Sequence, residues 1–385
     1  VAGPEGRGVS MIRRYIAREI VGAVLFVLAG FLGLFAFFDF INEIDDVGQA
    51  GYRLQHALAH VLLGLPSRVY ELMPIAALIG SIYALAQFAS HSEFTAMRAA
   101  GLSRRGALAI VAGVGAWFAI ATALTGELLA PASERLAQSI RLSALASTVG
   151  AQFRSGLWIK DTLKDANGQV ERLRFVNVAE MRPDTTLRAV RVFEFDSQYR
   201  MVEQIEAANA RFTPPSGWLL QDVEITTLTP VVVADTTATL RAQRRKQAEL
   251  AWVSDLNPDI LGVLVLVPER MSAWNLLQYV QHLRDNRQRS DRYEIALWKK
   301  VVYPLAVVVM MALALPFAYL QVRAGGIGYK VFAGIMLGVA FHFLNGLFSH
   351  LGLLNTWPAW LAAGIPSLAA MLLAIGMLAW VDRTR

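Results

Sequence analysis

Val21–Ile41 reads VGAVLFVLAGFLGLFAFFDFI, an apolar run whose one ionisable side chain, Asp39, comes near its end. About 20 such residues in a helix cover a ~30 Å hydrocarbon core. Runs of similar length recur at Val69–Ala89, Ala107–Ala130, Val301–Leu320, Val331–Phe348 and Trp357–Val381. Three runs precede and three follow a polar insert, so the chain reads as an α-helical membrane protein with six transmembrane helices, 3 + 3, and an inserted domain. The division places spans one to three in residues 11–131, the insert and a connecting helix in 132–292, and spans four to six in 293–385. Residues 1–10, Gly-rich and ahead of Met11, read as a cloning scar or a disordered lead-in. The first run is too long, and lacks a small-residue cleavage site, for a removable signal peptide.

Composition agrees: 55% of residues are hydrophobic and 17% charged, a balance unusual for a soluble globular protein. With no cysteine, thiol chemistry, disulfide staples and Cys-based metal sites are excluded. The net charge of +6 resembles a nucleic-acid signal only until the cations are placed on the topology. Arg13, Arg14 and Arg18 precede span one, and Arg98, Arg104 and Arg105 lie between spans two and three. Arg323 and Lys330 join spans four and five, and Arg383 and Arg385 follow span six. All of these segments fall on one side, which the positive-inside rule makes cytoplasmic. Both termini are expected inside and the insert outside, with no nucleic-acid partner.

Within the insert, Gln152–Lys160, Glu171–Ala179, Leu187–Phe195, Met201–Phe212 and Gly217–Thr227 are rich in Val, Ile, Phe and Thr. Turn signals such as Ala166-Asn167-Gly168, Pro183-Asp184 and Pro214-Pro215-Ser216-Gly217 separate them. Apolar and polar residues alternate through Arg172–Val178 and Arg188–Phe195, the period of half-buried strands. An all-β sandwich, jelly roll or open barrel follows, and a fragment from about 140 to 270 is expected to fold alone. Ser272–Asn286 returns to helix, with Trp274, Leu277, Val280 and Leu283 as its apolar stripe and Ser272 as N-cap.

No Gly-x-x-x-x-Gly-Lys-Ser/Thr, His-Glu-x-x-His or Gly-x-Ser-x-Gly occurs, so the chain binds no ATP through a P-loop and shows neither of those hydrolase motifs. His56 and His60 share a helix face and could hold a metal with a third ligand, or lie at the interface as surface residues. His342 is expected to pack against Asn345. Gly325-Gly326-x-Gly328 is a joint or a turn. A membrane enzyme would need convergent acids or histidines, and Glu71 and Glu127 have no evident catalytic partner. A sensor or assembly scaffold would need a cytoplasmic signalling domain, for which the cytoplasmic segments are too short.

Between spans two and three, His91-Ser92-Glu93-Phe94-Thr95-Ala96-Met97-Arg98-Ala99-Ala100-Gly101-Leu102-Ser103-Arg104 starts as an amphipathic helix with a Ser92-x-x-Thr95 opening and stops at Gly101. It is either a docking helix for a cytoplasmic motor or a solvated basic loop. Its wording resembles the lipopolysaccharide export permeases, the LptF/LptG family of ABC-transporter membrane subunits. Leu65-Pro66, Met73-Pro74-Ile75-Ala76-Ala77-Leu78-Ile79-Gly80, Gly126-Glu127, Ala130-Pro131 and Trp298-Lys299-Lys300-Val301-Val302-Tyr303-Pro304-Leu305 extend the likeness along the chain. Leu256-Asn257-Pro258-Asp259-Ile260-Leu261-Gly262, Tyr279-Val280-x-x-Leu283 and Arg292-Tyr293 bring it nearer the LptG type.

The resemblance implies a non-catalytic subunit of the cell inner membrane, paired with an LptF-type permease and driven by a dimeric LptB-type ATPase that holds the ATP and Mg2+. It implies a periplasmic jellyroll-like domain, an LptC-type bridge protein as partner, and lipopolysaccharide taken from the outer leaflet. Glu93, Met97, Arg98, Gly101 and Arg104 would carry the ATPase coupling. Lipid A phosphates call for cations at the periplasmic rim. Arg68, Arg135, Arg141, Lys299 and Lys300 fall near that boundary and are the candidate substrate contacts, with snorkelling anchors as the alternative. The family commonly places lysines at the end of span one, where this chain has Asp39, Glu43, Asp45 and Asp46. These acids would repel the lipid unless a divalent cation bridges them, or unless they are solvated loop groups with Asp39 paired to a neighbouring helix.

Overall fold

The computed structural model describes residues 4–48, 51–144, 156–164, 170–181, 186–213, 217–233, 237–254, 256, 267–319 and 326–383. The first half is helical: α1 (Pro4–Ile44), α2 (Leu54–Ser90), α3 (Glu93–Ala99), α4 (Arg104–Leu124), a π-helical turn (Thr125–Leu129) and α5 (Ala130–Ala144). α1 begins inside the stretch expected to be a lead-in. Extending a helix needs no new nucleus, so the apolar run carries the helix backward into polar sequence. Six helical segments are long and apolar enough to cross a membrane, and α4, the π turn and α5 form one of them, Arg104–Arg141.

α2 is the hub, packed against α1, α4, α5 and both helices that follow the insert as spans four and five. Of its most apolar stretch 83% is buried, against 17% for α1, so α2 is a core helix and α1 shows most of its surface outward. Ile16, Ile20, Val24 and Leu28 recur every four residues on α1 and join the core with Leu78, Ile82 and Leu85 of α2. Gly80 allows the close approach: a Cβ there would lie 2.5 Å from the Val24 Cα.

The insert forms β1 (Leu157–Lys164), β2 (Val170–Met181), β3 (Leu187–Phe195), β4 (Met201–Thr213), β5 (Gly217–Val233) and β6 (Thr237–Trp252). Of the architectures left open, the described strands realise one antiparallel sheet in sequence order, β1 to β6. β6 was not expected, and the turns at 166–168, 183–184 and 214–216 lie outside the described residues. After a 3-10 turn (Pro268–Arg270) come α6 (Ala273–Asp285), α7 (Asp291–Ala314), α8 (Pro316–Tyr319), α9 (Ile327–Leu354) and α10 (Ala359–Arg383).

α6 completes the β core. Val176, Val190, Val192, Trp218 and Leu220 of the sheet cluster with Leu276, Tyr279 and Leu283 of the helix, and with Leu256 and Met271. The buried face of α6 is Leu276-Tyr279-Val280-Leu283, while Trp274 is 63% exposed, so the expected period holds but its phase is rotated. Arg174 ties β2, β3 and the end of β6 together. It donates to Glu194 Oε1 at 2.7 Å and to the Val253 carbonyl at 2.7 Å, and lies over the Trp252 ring. Both charges of the Arg174–Glu194 pair are buried, so removing one partner would cost about 3–5 kcal/mol.

Candidate functional site

The two ends of the bundle carry different chemistry. At the end away from the sheet, α3 is a seven-residue helix whose close is set by Gly101 at φ +99°. Leu102 N–H bonds the Met97 carbonyl and Gly101 N–H the Arg98 carbonyl, both at 3.0 Å, a Schellman close with Leu102 and Met97 buried together. The opening differs from expectation. Ser92 is left-handed at φ 59° and its side chain caps nothing, because the tight turn from α2 directs the chain through that conformation.

Phe94 and Met97 are buried in the bundle, leaving Thr95, Ala96, Arg98 and Ala99 outward. Tyr319, at the end of α8, receives α3: Phe94 meets it edge-on at 5.0 Å, and Arg98 and Arg104 lie over its ring at 5.9 and 5.7 Å. Glu93 accepts a hydrogen bond from the Tyr15 hydroxyl of α1 at 3.0 Å. Among the predicted coupling residues, Met97 is thus a packing anchor and Arg98 the exposed group. Gly326 and Gly328 open α9, and Gly325 lies outside the described residues.

At the sheet-bearing end the predicted cations divide into two groups. Arg68 grips Asp39 through both oxygens, at 2.9 and 2.7 Å, and Glu71 at 3.0 Å. Arg141 pairs with Asp46 at 2.5 Å and Glu43 at 3.5 Å. Glu43 is buried, accepts from the Tyr52 hydroxyl at 2.7 Å and lies 3.5 Å from His60 Nε2. Burial and the Glu43 carboxylate push the Tyr52 hydroxyl above the usual tyrosine range. Asp39 and Glu43 near the end of α1, and Asp46 just beyond it, are therefore partners of Arg68 and Arg141, and the pairing of Asp39 to a neighbouring helix is found.

His56 Nδ1 accepts the Arg53 N–H at the start of α2, and no metal-binding group of acids and histidines occurs among the described residues.

Arg135, Lys299 and Lys300 form the second group. Arg135 is exposed on α5, and among the described residues none of the three makes a carboxylate ion pair. Lys300 donates to the Gly126 carbonyl at 3.0 Å and lies 4.5 Å from the Tyr70 ring centroid. A cavity of about 200 Å3 is lined by Lys299, Lys300, Tyr303, Glu269, His342 and Asn345. Asn345 Nδ2 is buried there without a hydrogen-bond partner. His342, expected to pack against Asn345 in the bundle, is exposed, and both residues line this cavity.

A joint not foreseen from the sequence links sheet and bundle. Glu127, carried by the π turn, accepts the Ala273 N–H at 2.8 Å and the Trp274 N–H at 3.4 Å at the first turn of α6. Ser272 accepts the Asn275 N–H at 3.2 Å, as expected of an N-cap. At the other end of α6, Lys160 of β1 donates to the Asn286 carbonyl at 3.0 Å. A carboxylate at the N-terminus and an ammonium at the C-terminus both complement the helix dipole. Glu134 of α5, fully buried, pairs with Arg270 at 2.8 Å beside the same joint.

The profile of the family described as lipopolysaccharide export system permease LptF/LptG matches residues 14–380. The lipopolysaccharide export system permease protein LptG of Haemophilus influenzae is 29% identical over 374 residues, covering 97% of this chain and 98% of its own length. The protein of the same name from Escherichia coli K12 is 29% identical over 369 residues, covering 96% and 98%. Both relatives carry the LptG name, the type to which the residues before span four are nearer. With its six membrane-type helices, inserted sheet and match along nearly its whole length, the chain belongs to the LptF/LptG family of lipopolysaccharide export system permeases.

Proposed function

We propose that this chain is the LptG-type permease subunit of an inner-membrane ABC transporter that takes lipopolysaccharide from the outer leaflet and passes it to a periplasmic bridge. In this reading both termini are cytoplasmic and the sheet is periplasmic, because the short arginine-bearing segments lie at the end opposite the sheet. An LptF-type chain completes the permease, an LptC-type protein receives the lipid, and a separate LptB-type ATPase dimer supplies the ATP and Mg2+ chemistry.

The observation that carries the reading is the separation of two sites at opposite ends of one bundle. α3 offers an exposed, rigidly seated docking face at one end. The other end offers Arg135, Lys299 and Lys300, none of which forms a close carboxylate ion pair among the described residues, although Glu71 and Glu269 line the same cavity as the two lysines. Arg135, Lys299 and Lys300 are the lipid contacts, and Arg68 and Arg141 hold α1 and α5 in place. Force applied to α3 reaches α8 through Tyr319 and α1 through Tyr15.

The test is ATP-dependent lipopolysaccharide release from proteoliposomes containing the full complex. Glu93→Lys is expected to weaken ATPase assembly or to separate hydrolysis from release, with normal membrane insertion. Tyr15→Phe removes only the intramolecular hydrogen bond and should leave assembly near normal. Unchanged export by Glu93→Lys would reject the coupling role.

A further inference from the structure

A cavity of about 510 Å3 opens between α1 and α2 at the α3 end of the bundle, far from the sheet. Its lining changes along the membrane normal. Arg18, Glu19, Gln87, His91 and Glu93 line the polar end, whereas Gly22, Ala23 and Phe26 continue the wall on α1, with Ala84 opposite on α2. Eight residues separate Arg18 from Phe26, about 12 Å of helix at 1.5 Å per residue. That is the distance over which a lipid passes from headgroup to acyl chain. Phe26 is 79% exposed and points out of the bundle, while Tyr15 and Tyr83 stand half-exposed at the polar end, as interfacial aromatics do.

The charges select among headgroups. Arg18 and Glu19 are exposed and make no ion pair among the described residues, and one oxygen of Glu93 is taken by the Tyr15 hydroxyl. One guanidinium beside two carboxylates suits a ligand with one phosphate and one ammonium. A lipid whose head carries no cation would satisfy Arg18 but bring the carboxylates at most neutral hydroxyl donors, without a compensating positive charge. A quaternary ammonium has no N–H to give them. A primary ammonium has three.

We propose that this cavity binds a primary-amine glycerophospholipid of the leaflet on the α3 side, with its phosphate on Arg18, its ammonium on Glu19 and Glu93, and an acyl chain along Gly22, Ala23 and Phe26. The site places a membrane lipid against the first residue of α3, so occupancy steadies the α1–α3 corner. Calling that leaflet cytoplasmic rests on the orientation proposed above; the site does not.

The test uses the full transporter complex in nanodiscs with a phosphatidylethanolamine probe that carries a diazirine on its acyl chain. Adducts are expected on peptides covering residues 15–26 and 83–93. Unlabelled phosphatidylethanolamine should displace the probe about tenfold better than phosphatidylglycerol or phosphatidylcholine, the size of one net charge-assisted hydrogen bond. Water-soluble glycerophosphoethanolamine, which has no acyl anchor, should compete poorly. Glu19→Gln and Arg18→Gln should each lower the yield about tenfold, with Glu19→Asp and Arg18→Lys retaining most of it. Should a charge-removing variant fail to assemble, wild-type competition and the conservative variants decide.

Equal displacement by all three lipids, strong competition by the soluble headgroup, or crosslinks from residues 15–26 to a partner protein covering the cavity would each overturn the proposal. Lipopolysaccharide crosslinking at Lys300, read in the same samples, reports on the export reading separately.

Discussion

Gly101 takes a left-handed φ of +99°, which costs a residue with a Cβ about 1 kcal/mol. Gly101→Ala should therefore loosen the close of α3, lowering amide-exchange protection at Gly101 and Leu102 about fivefold while the membrane helices keep theirs; equal protection in both proteins would reject it. The stop at this glycine was legible because few other residues adopt that backbone conformation freely. Glu127 was not legible in the same way. Its partners are backbone groups 146 and 147 positions away, and a lone carboxylate in an apolar run states no partner. Glu127→Ala should cost about 1–2 kcal/mol through loss of an N-terminal acceptor and of dipole compensation. Exchange at Ala273 and Trp274 should rise, whereas the last turn of α6, held by Lys160, should change little. Unaltered exchange at the first turn would show that Ser272 alone caps the helix.

α6 and β6 show why elements differ in how far the sequence discloses them. β3 has the expected bounds, Leu187–Phe195, and from Val190 onward buried positions alternate with more exposed ones, since one face covers the core. β6, TATLRAQRRKQAELAW, is built from Ala, Arg, Gln, Lys and Glu, which favour helix, and its strand form comes from continuous pairing with β5. For α6 the period was readable but the phase was not, because Trp274 and Leu276 are both apolar and only the sheet decides which turns inward. The same packing bears on which fragment can fold alone. Leu276, Tyr279 and Leu283 each gain about 1.5–3 kcal/mol by burial, which is comparable to the whole stability of a small domain. A fragment of residues 140–270, expected from the sequence to fold alone, should lack a cooperative thermal transition, and one of residues 140–292 should show it. A cooperative melt with ordered near-ultraviolet Trp218 signal in the shorter fragment would mean that α6 covers the core without being needed for it.

Across the whole molecule, acidic and basic groups that looked opposed in the sequence cancel in pairs. Asp39, Glu43 and Asp46 at the end of α1 neutralise Arg68 and Arg141 and clamp α1 to α2 and α5. What remains outside close ion pairs is a smaller set: Arg135, exposed on α5, and Lys299 and Lys300, which line with Glu71 and Glu269 a cavity holding an unpaired buried amide. This division predicts two kinds of mutant. Arg135→Ala with Lys300→Ala should lower lipopolysaccharide crosslinking by roughly 10²-fold, since each phosphate contact contributes about 1.5–3 kcal/mol, and should leave the folded complex intact. Arg68→Ala should instead destabilise the complex, because it leaves the Asp39 and Glu71 carboxylates half-buried without their shared cation. Adding Asp39→Asn separates clamp from ligand contact. A clamp predicts that the second substitution recovers thermal stability and, with it, capture. A phosphate contact predicts that Asp39→Asn alone strengthens capture by freeing the guanidinium, and that result would return Arg68 to the lipid site.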